Sequence, residues 1–319
     1  MKAVTIHSLS QANPIVDVPN PEVTTGSVLI KVHATGVNHV DLAWATGKRK
    51  PADTVFGLEA AGEVIESKSN QVQVGQRVAA LLDHGGYAGL VAVPAERIIP
   101  LPDEVSYTQG ASIPESFLTA YQALFWIGQL KEHQTVLIHA GASAVGTAAI
   151  QLAKVLKHAT VITTASTAKT KVCKQFGADY TIDYKTQDFE AEVDRITEHQ
   201  GVDLILDFIG KNYFQSNLNA LHFDGRIVLI GDLSGSIVDQ FNLRYIMVKR
   251  ASITGTMLSP RSAEYKARLT QAFVADTKQL FADGTLKPSV SATFDLADAL
   301  AAQQFMADQK NVGKIVIKV

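Results

Sequence analysis

The stretch HAGASAVGTAAIQLAK (residues 139–154) constrains the fold of this chain more than any other, because its glycines are spaced as in a turn between a strand and a helix. In the loop G-x-G-x-x-G, the first glycine forms a tight turn, the second lets the backbone approach a pyrophosphate, and the third lets the helix pack closely on the strand. Gly141 and Gly146 occupy the outer two positions, and Ser143 replaces the middle glycine. The sequence therefore predicts a strand, a turn and a helix here.

The residues around this turn indicate a parallel sheet. TVLIHA (135–140) is almost wholly apolar, as in a strand buried on both faces. Strand-like runs alternate with helical patterns further along, at residues 161–165, 180–184, 202–210, 225–231 and 251–256. Such alternation is typical of an α/β fold with a doubly wound sheet, predicted here for residues 115–256. The last of these runs falls at the edge of that sheet.

A different texture precedes this region. Residues 1–114 carry short β-rich runs separated by frequent glycines, which predicts an antiparallel barrel or sandwich. Residues 257–319 carry two amphipathic helices and a final strand, GKIVIKV, and we expect them to complete this first domain. Two domains also agree with a length of 319 residues, which exceeds the usual size of a single core.

Charge and cysteine content exclude several classes of function. The formal net charge of −2 gives no reason to expect binding to nucleic acid or to an anionic membrane. The single cysteine, Cys173, rules out a disulfide framework or a cysteine-rich zinc lobe. Because no apolar stretch is typical of a signal peptide or a membrane span, we expect a cytoplasmic protein.

The loop itself predicts a dinucleotide site. A helix N-terminus offers unpaired N–H groups and the positive end of its dipole to an anion, and the Ser143 hydroxyl adds a donor. The alternative is that small residues serve close packing alone. The strand–turn–helix context and the later strands favour the cofactor site, whose predicted loop residues are Gly141, Ala142, Ser143, Ala144, Val145 and Gly146.

The residues after the second strand of this domain favour NADPH over NADH. An NAD enzyme usually places Asp or Glu there, to bind the ribose 2′-hydroxyl. Residues 163–169 read TTASTAK, with no acid and with Lys169 one turn into the next helix. The alternative is that Lys169 is an ordinary solvated lysine.

With these residues, the chain resembles the medium-chain dehydrogenase/reductase superfamily, and most closely its zinc-free quinone oxidoreductase branch, the zeta-crystallin-like NADPH reductases. The resemblance covers nearly the whole chain and implies a GroES-like catalytic domain followed by a Rossmann NADPH-binding domain. Some close relatives also carry serine in the middle of the loop. The motifs that support it are Asn38-His39-Val40-Asp41, Gly57-Leu58-Glu59-Ala60-Ala61-Gly62, Gly75-Gln76-Arg77-Val78, Ile113-Pro114, Leu118-Thr119-Ala120-Tyr121, residues 139–154, Phe176-Gly177-Ala178, Asp207-Phe208-Ile209-Gly210 and Asn311-Val312-Gly313-Lys314-Ile315.

The resemblance implies further cofactor-binding residues. Lys169 and Tyr184 would flank the adenosine 2′-phosphate, and Asn311 would lie near the nicotinamide. The remaining implied contacts are Thr119, Thr164, Ala165, Ser166, Phe208, Ile209, Gly210, Ile230 and Gly231. The resemblance also implies a homodimer whose sheets join across the edge strand at residues 251–256, where an exposed edge would otherwise invite aggregation.

No metal is expected. Zinc-dependent members hold zinc with a cysteine, a histidine and a third ligand, and those places here are Asn38, Leu58 and Glu115. Leucine cannot ligate a metal, and neutral asparagine is a poor zinc donor. Without this Lewis acid, alcohol oxidation is disfavoured, whereas quinones and α,β-unsaturated carbonyls delocalise the developing charge themselves.

We therefore predict an NADPH-dependent reductase of a quinone or another conjugated carbonyl. Asn38 is the candidate catalytic residue, donating a hydrogen bond to the acceptor oxygen, although it also fits a turn after Gly36. An enoyl ester or thioester reductase and a non-catalytic NADPH-binding protein are alternatives. Relatives often place a tyrosine soon after the position of Gly47; here the segment 47–51 is short and basic, which leaves the acceptor open.

Overall fold

The computed structural model describes residues 1–46, 51 and 53–319. The basic segment Gly47-Lys48-Arg49-Lys50 lies outside the described residues. The chain divides into two compact units: unit 1 contains residues 1–118 and 258–319, and unit 2 contains residues 119–257. Unit 2 thus begins four residues later than the sequence predicts, because residues 115–118 belong to unit 1.

The described residues form fifteen strands and ten α-helices. The first part contains β1 (Lys2–Val4), β2 (Ile15–Asp17), β3 (Ser27–Gly36), α1 (His39–Ala45), β4 (Glu59–Ser67), β5 (Arg77–Leu81), β6 (Leu90–Pro94), β7 (Ile98–Pro100), α2 (Tyr107–Gly110) and α3 (Pro114–Tyr121). The middle part contains β8 (Thr135–Ile138), α4 (Ala144–Lys157), β9 (Thr160–Ala165), α5 (Thr170–Gln175), β10 (Tyr180–Asp183), α6 (Phe189–Ile196), β11 (Val202–Asp207), α7 (Phe214–Ala220), β12 (Leu221–Leu229), α8 (Arg244–Lys249) and β13 (Ser252–Gly255). The last part contains α9 (Ala263–Ala282), β14 (Val290–Asp295), α10 (Ala299–Ala307) and β15 (Lys314–Lys318).

Short helical segments of the 3₁₀ and π types connect several of these elements. The 3₁₀ segments are Ala95–Arg97, Thr167–Lys169 and Leu296–Asp298, and a π-helical turn, Gln122–Ile127, follows α3.

Unit 2 is built on a six-stranded parallel sheet in the order β10-β9-β8-β11-β12-β13. Val136, Leu137 and Ile138 of β8 are fully buried, because the strand lies in the middle of the sheet. Helix α4 covers it with a small-residue face and ends at His158, which adopts a left-handed conformation with φ of 48°. Strand β13 lies at the sheet edge, as predicted.

Unit 1 contains a seven-stranded sheet in the order β14-β15-β3-β4-β5-β7, with β6 paired to β3, and a small antiparallel pair of β1 and β2. All pairs in the larger sheet are antiparallel except that of β14 with β15. The C-terminal strand β15 is inserted beside β3, so residues from both ends of the chain share one sheet. This return of the C-terminal segment brings distant polar residues together in unit 1.

Among the described residues, no helix combines the length and the apolar character needed to span a membrane.

Candidate functional site

The parallel sheet of unit 2 collects the predicted cofactor residues at one edge. The carboxyl ends of parallel strands meet at the same side of a sheet, which is where such folds bind dinucleotides. The glycine loop follows β8, Lys169 follows β9 and Tyr184 follows β10. The other predicted residues of this group, at the end of β9 or following β9, β11 and β12, are Thr164, Ala165, Ser166, Phe208, Ile209, Gly210, Ile230 and Gly231.

A side chain at either glycine of the loop would collide with neighbouring atoms, which are backbone atoms at Gly146 and side-chain atoms at Gly141. A Cβ atom at Gly146 would lie 2.4 Å from the carbonyl oxygen of Ala140, and one at Gly141 would lie 2.7 Å from Cβ of Thr163. Both distances are below 3.0 Å, and Cβ atoms in proteins essentially never approach another heavy atom so closely. The outer two positions of the motif therefore perform the tight turn and the close helix packing that the sequence predicts.

Ser143 takes the middle position as the N-cap of α4. Its Oγ accepts a hydrogen bond from the backbone N–H of Gly146 at 3.0 Å. This bond uses a lone pair of the oxygen, so the hydroxyl hydrogen remains to donate to an anion. The N–H groups of Ala144 and Val145 precede the first helical hydrogen bond and point toward the same end of the helix. The loop thus fits a pyrophosphate, with a side-chain donor where a glycine usually stands.

A buried chain of hydrogen bonds connects three of the strand ends. The ring of His139 contacts the Thr164 hydroxyl at 2.9 Å through Nδ1 and the Asn217 amide oxygen at 2.7 Å through Nε2. The Asn217 amide in turn donates to Asp207 at 3.0 Å. Because Asn217 donates to Asp207, its oxygen accepts from Nε2–H, and Nδ1 accepts the Thr164 proton.

This chain has two consequences for the predicted contacts. The Thr164 side chain is 1% exposed and its hydroxyl proton is directed to His139, so it positions the loop rather than donating to a phosphate. The Asp207 carboxylate accepts the N–H groups of Ile209 and Gly210 at 2.7 and 3.1 Å, which fixes the turn after β11. Burial lowers the pKa of His139, and this keeps the ring neutral, as the hydrogen-bond pattern requires.

Two lysines and one carboxylate lie at the strand ends where the ribose 2′ position is expected. Burial and then the charge of Lys185 lower the pKa of Lys169. Asp183, at the end of β10, accepts hydrogen bonds from the Thr167 hydroxyl and from the backbone N–H of Lys185 at 3.0 Å. The hydrogen bond from Thr167 holds the pKa of Asp183 below its usual value. The sequence after β9 contains no acid, but the fold brings this one from the neighbouring strand.

In unit 1, Asn38 belongs to a polar cluster around a buried ion pair. Asn38 is the N-cap residue of α1, and its amide nitrogen donates to Oε1 of Glu59 at 2.9 Å. Lys314 donates to the amide oxygen of Asn38 at 2.6 Å and forms an ion pair with Glu59. Glu59 and Lys314 are almost wholly buried, so each requires the other. A Cβ atom at Gly36 would collide with both side chains, which explains why β3 ends in glycine.

Two further carboxyl groups face this cluster. The backbone N–H of Glu115 donates to Oε2 of Glu59 at 2.8 Å. Asp41 accepts from the backbone N–H of Asn38 at 2.8 Å and from the Tyr87 hydroxyl at 3.3 Å. Burial raises the pKa of Asp41 and of Glu115 to about 7 in each case.

The three positions that the resemblance relates to zinc ligands are Asn38, Leu58 and Glu115, and the absence of zinc stays a prediction. Leu58 is 1% exposed and packs in an apolar core of unit 1. Within residues 1–46, 51 and 53–319, no group of three or more His, Cys, Asp or Glu side chains could hold a metal ion.

The remaining predicted residues lie elsewhere in the two units. Thr119 lies on α3 and is 7% exposed. Asn311 belongs to unit 1, where its amide donates to the Gly313 carbonyl oxygen at 3.0 Å. Asn38 also belongs to unit 1. The contact of each of these residues with a cofactor or an acceptor stays a prediction.

Sequence analysis gave no role to Glu59, Lys314 or His139. A signal for the first two was present: a single charged residue at the inward face of an apolar strand needs a buried partner. His139 lies just before the glycine loop, but its two hydrogen-bond partners come from elsewhere in unit 2, Thr164 from β9 and Asn217 from α7.

Two family models match this sequence. The model described as "Alcohol dehydrogenase GroES-like domain" matches residues 24–103, and the model described as "Zinc-binding dehydrogenase" matches residues 144–274. Together with the structural matches below, they confirm the predicted fold class, a GroES-like domain with a Rossmann-type domain.

Similar proteins agree in fold and differ in cofactor. The chain is 32% identical over 300 residues to "Quinone oxidoreductase-like protein 2 homolog" of Nematostella vectensis, covering 92% of this chain and 82% of that protein. A mycobacterial structure described as complexed with NADPH superposes with a TM-score of 0.86 at 29% identity, over 100% of both chains. A structure described as an NAD-dependent alcohol dehydrogenase also superposes with a TM-score of 0.86, at 28% identity and over 100% of both chains.

Proposed function

The chain belongs to the medium-chain dehydrogenase/reductase family, in its quinone oxidoreductase branch, and from this premise we propose that it is a zinc-independent NADPH reductase of quinones or other conjugated carbonyl compounds. The family makes it a nicotinamide-dependent oxidoreductase. Beyond this, we propose that the enzyme prefers NADPH, that its acceptor is a conjugated carbonyl compound and that it works without zinc.

The observation that carries this proposal is the orientation of the Asn38 amide. The Asn38 amide donates one of its two N–H groups to Glu59, and its oxygen accepts a hydrogen bond from Lys314. The second N–H group is the one that the side chain would donate to a substrate. Such a fixed donor stabilises the oxygen of a carbonyl compound as negative charge develops there. A conjugated acceptor needs no stronger electrophile, because its own π system spreads that charge.

Hydride donation is the chemistry that the dihydronicotinamide supplies when it is bound. The protein's own residues hold and orient the dinucleotide. The Ser143 hydroxyl and the N–H groups that begin α4 would bind the pyrophosphate, and Asp207 fixes the turn at Ile209 and Gly210. These contacts favour a dinucleotide of either kind.

The pair of lysines supports NADPH. Lys169 and Lys185 are close enough that the charge of one lowers the pKa of the other. Two neighbouring ammonium groups repel each other, and a 2′-phosphate bound near them would reduce that repulsion. Asp183 is already engaged by Thr167 and by the backbone of Lys185, which limits its effect on a phosphate.

Unit 2 also supports a homodimer. Strand β13 lies at the sheet edge, and several large apolar side chains before and after it are more than half exposed. They are Leu233, Ile237, Leu243, Met247, Val248 and Met257. An edge strand with apolar neighbours is a surface that proteins usually cover, and a second copy about a two-fold axis would do so.

Turnover with a panel of acceptors tests the activity. NADPH oxidation is measured by absorbance with quinones, enones, enoyl thioesters, simple aldehydes and alcohols plus NADP⁺, each with and without a strong chelator. We expect turnover with one of the conjugated classes, unchanged by the chelator, and none with simple alcohols. The same preparation is analysed for zinc.

Two results would contradict the proposal. Zinc near one ion per chain, together with loss of activity on chelation, would show a metal-dependent enzyme. Tight NADPH binding without turnover of any acceptor would support the alternative of a non-catalytic NADPH-binding protein.

A further inference from the structure

A chain of hydrogen bonds with one direction connects the strand ends of unit 2, and His139 lies at its centre. The Thr164 hydroxyl donates to Nδ1 of His139 at 2.9 Å, and Nε2–H donates to the Asn217 amide oxygen at 2.7 Å. The Asn217 amide then donates to Asp207 at 3.0 Å. Every donor in the chain therefore points from the end of β9 toward the end of β11.

Both ends of this chain belong to segments that are predicted to bind the dinucleotide. At one end, the Thr164 carbonyl oxygen accepts the backbone N–H of Gly141, the first glycine of the loop, at 3.0 Å. At the other end, Oδ1 of Asp207 accepts the N–H groups of Ile209 and Gly210 at 2.7 and 3.1 Å. The chain thus joins the glycine loop after β8 to the turn after β11.

The direction of the chain depends on which nitrogen of His139 carries the proton. A side-chain amide has N–H donors on one side and an acceptor oxygen on the other, so it can be reversed by rotation. A proton on Nε2 holds the Asn217 oxygen toward the ring, and the N–H groups then face Asp207. A proton on Nδ1 would reverse Asn217 and direct its oxygen at the Asp207 carboxylate, where two acceptors repel each other. The ring therefore determines whether this carboxylate keeps its amide donor.

Packing holds the His139 ring in place. The ring is fully buried and lies edge-on to the rings of Phe189 and Tyr213, with centroids 4.9 and 4.8 Å away. Burial lowers the pKa of the ring, which favours the neutral form that the chain requires. A buried polar network whose members all have partners makes the groups that it connects rigid.

A role in stability alone explains this chain of polar residues less well. All four side chains are almost wholly buried, and apolar side chains would fill the same space without the cost of removing polar groups from water. The chain instead links two segments of the predicted cofactor site. Segments that are already fixed before a ligand arrives lose less freedom when it binds, and the affinity is higher for that reason.

We propose that His139 is a positioning residue for the dinucleotide; this inference rests on the proposed function. The proton on Nε2 orients Asn217, the Asn217 amide holds the Asp207 carboxylate, and that carboxylate fixes the turn after β11. The buried ring acts through these residues rather than by contact with the cofactor. Because the 2′-phosphate is expected near the ends of β9 and β10, loss of the turn weakens the binding of NADPH and NADH by the same factor.

Two substitutions separate the roles of the two ring nitrogens. The amide nitrogen of glutamine can reach the position of Nε2, so His139→Gln keeps a donor to Asn217 and loses the contact with Thr164. The amide oxygen of asparagine can reach the position of Nδ1, so His139→Asn keeps the contact with Thr164 and loses the donor to Asn217. Each variant loses one buried hydrogen bond, and we expect similar losses of stability in thermal unfolding.

Dissociation constants for NADPH and NADH, measured by fluorescence, provide the comparison. For His139→Asn we expect both affinities to fall about tenfold, the effect of one lost hydrogen bond in a chain that ends on a charged group. His139→Gln is expected to stay close to the wild type. Val193→Ala, which removes buried atoms from α6 in the same core, is the matched control: it lowers the stability and leaves both affinities unchanged.

Nitrogen NMR of the histidine rings tests the proposal even if His139→Asn does not fold. The signals of His139 are assigned by their loss from the spectrum of His139→Gln. In the wild type we expect a neutral ring at neutral pH with its proton on Nε2, both in the free protein and with NADP⁺ bound. A charged ring, or a proton on Nδ1, would overturn the assignment.

The outcomes distinguish this inference from the proposed function. A wild type that binds neither dinucleotide, or that reduces no acceptor, contradicts the proposed function. If the wild type binds both dinucleotides and His139→Asn equals it, or if His139→Gln is weakened as much as His139→Asn, the assignment of His139 alone is overturned. A loss confined to NADPH also overturns it, because the effect would then lie at the 2′-phosphate.

Discussion

At the scale of single residues, we expect the two lysines after β9 and β10, Lys169 and Lys185, to determine which nicotinamide cofactor binds more tightly. Replacing Lys169 with Glu puts a carboxylate where a 2′-phosphate is proposed to bind. We expect the affinity for NADPH to fall about tenfold or more, which corresponds to a loss of ~1.4 kcal/mol or more in binding free energy. The affinity for NADH is expected to change little. Dissociation constants for both cofactors, measured by fluorescence, provide the comparison.

Lys171→Glu is the matched control for this prediction. Lys171 is exposed on α5, the helix that directly follows Lys169. The same change in net charge at Lys171 is expected to leave the ratio of the two affinities unchanged. Equal losses of NADPH and NADH in Lys169→Glu would show that this lysine does not distinguish the phosphate.

The polar residues of unit 1 show where sequence analysis is limited. Asn38 was identified as a candidate because its type and position were informative. Its role depends on Lys314, which lies 276 positions further along the chain, and no local pattern connects them. Side-chain clusters of this kind depend on strand register, which only the folded chain specifies.

At the scale of elements, α4 depends on one serine for both its start and its proposed ligand. Ser143→Ala removes the N-cap, with an expected loss of about 1 kcal/mol in the free energy of unfolding, whereas Ser143→Gly costs only a few tenths. Both variants lose the hydroxyl. If that hydroxyl donates to the pyrophosphate, NADPH affinity falls by a similar factor in both, although their stabilities differ.

Ser262→Ala provides the control for this comparison. Ser262 caps α9 in unit 1, where its side chain accepts from the backbone N–H of Tyr265 at 3.2 Å. We expect a similar loss of stability, seen in chemical denaturation, with no change in NADPH affinity. An affinity that follows stability across all three variants would mean that Ser143 acts only as a cap.

The elements of unit 2 were predictable from the sequence for a physical reason. A parallel strand buried on both faces is a continuous apolar run, and a glycine loop is contiguous in sequence, so each leaves a local pattern. The carboxylate at the 2′ end was missed because Asp183 comes from β10, the neighbouring strand. Unit 1 was predictable only as a β-rich class, because its sheet is assembled from segments far apart in the chain.

At the scale of the whole molecule, we expect two chains of 34.3 kDa to associate through the β13 edge. Light scattering at micromolar concentration is expected to give a mass of two chains. Thr254→Lys places a charge on the exposed edge strand, a device that proteins use to prevent edge pairing, and is expected to give a monomer.

Thr285→Lys is the control, since Thr285 is exposed in a turn of unit 1. It is expected to leave the mass unchanged. A wild-type mass of a single chain would mean that the edge and its apolar neighbours are covered in another way.

The late return of β15 into the sheet of unit 1 also sets an order of events during synthesis. Residues 119–257 leave the ribosome as a complete unit, whereas unit 1 still lacks α9, β14, α10 and β15 at that moment. Domains fold as their sequence becomes available, so the dinucleotide-binding unit is ready first. Until Lys314 has been synthesised, β3 lacks its neighbouring strand β15, and Glu59 lacks the lysine with which it forms an ion pair. The polar cluster of Asn38, Glu59 and Lys314 is therefore completed only after the whole of unit 2 has been synthesised.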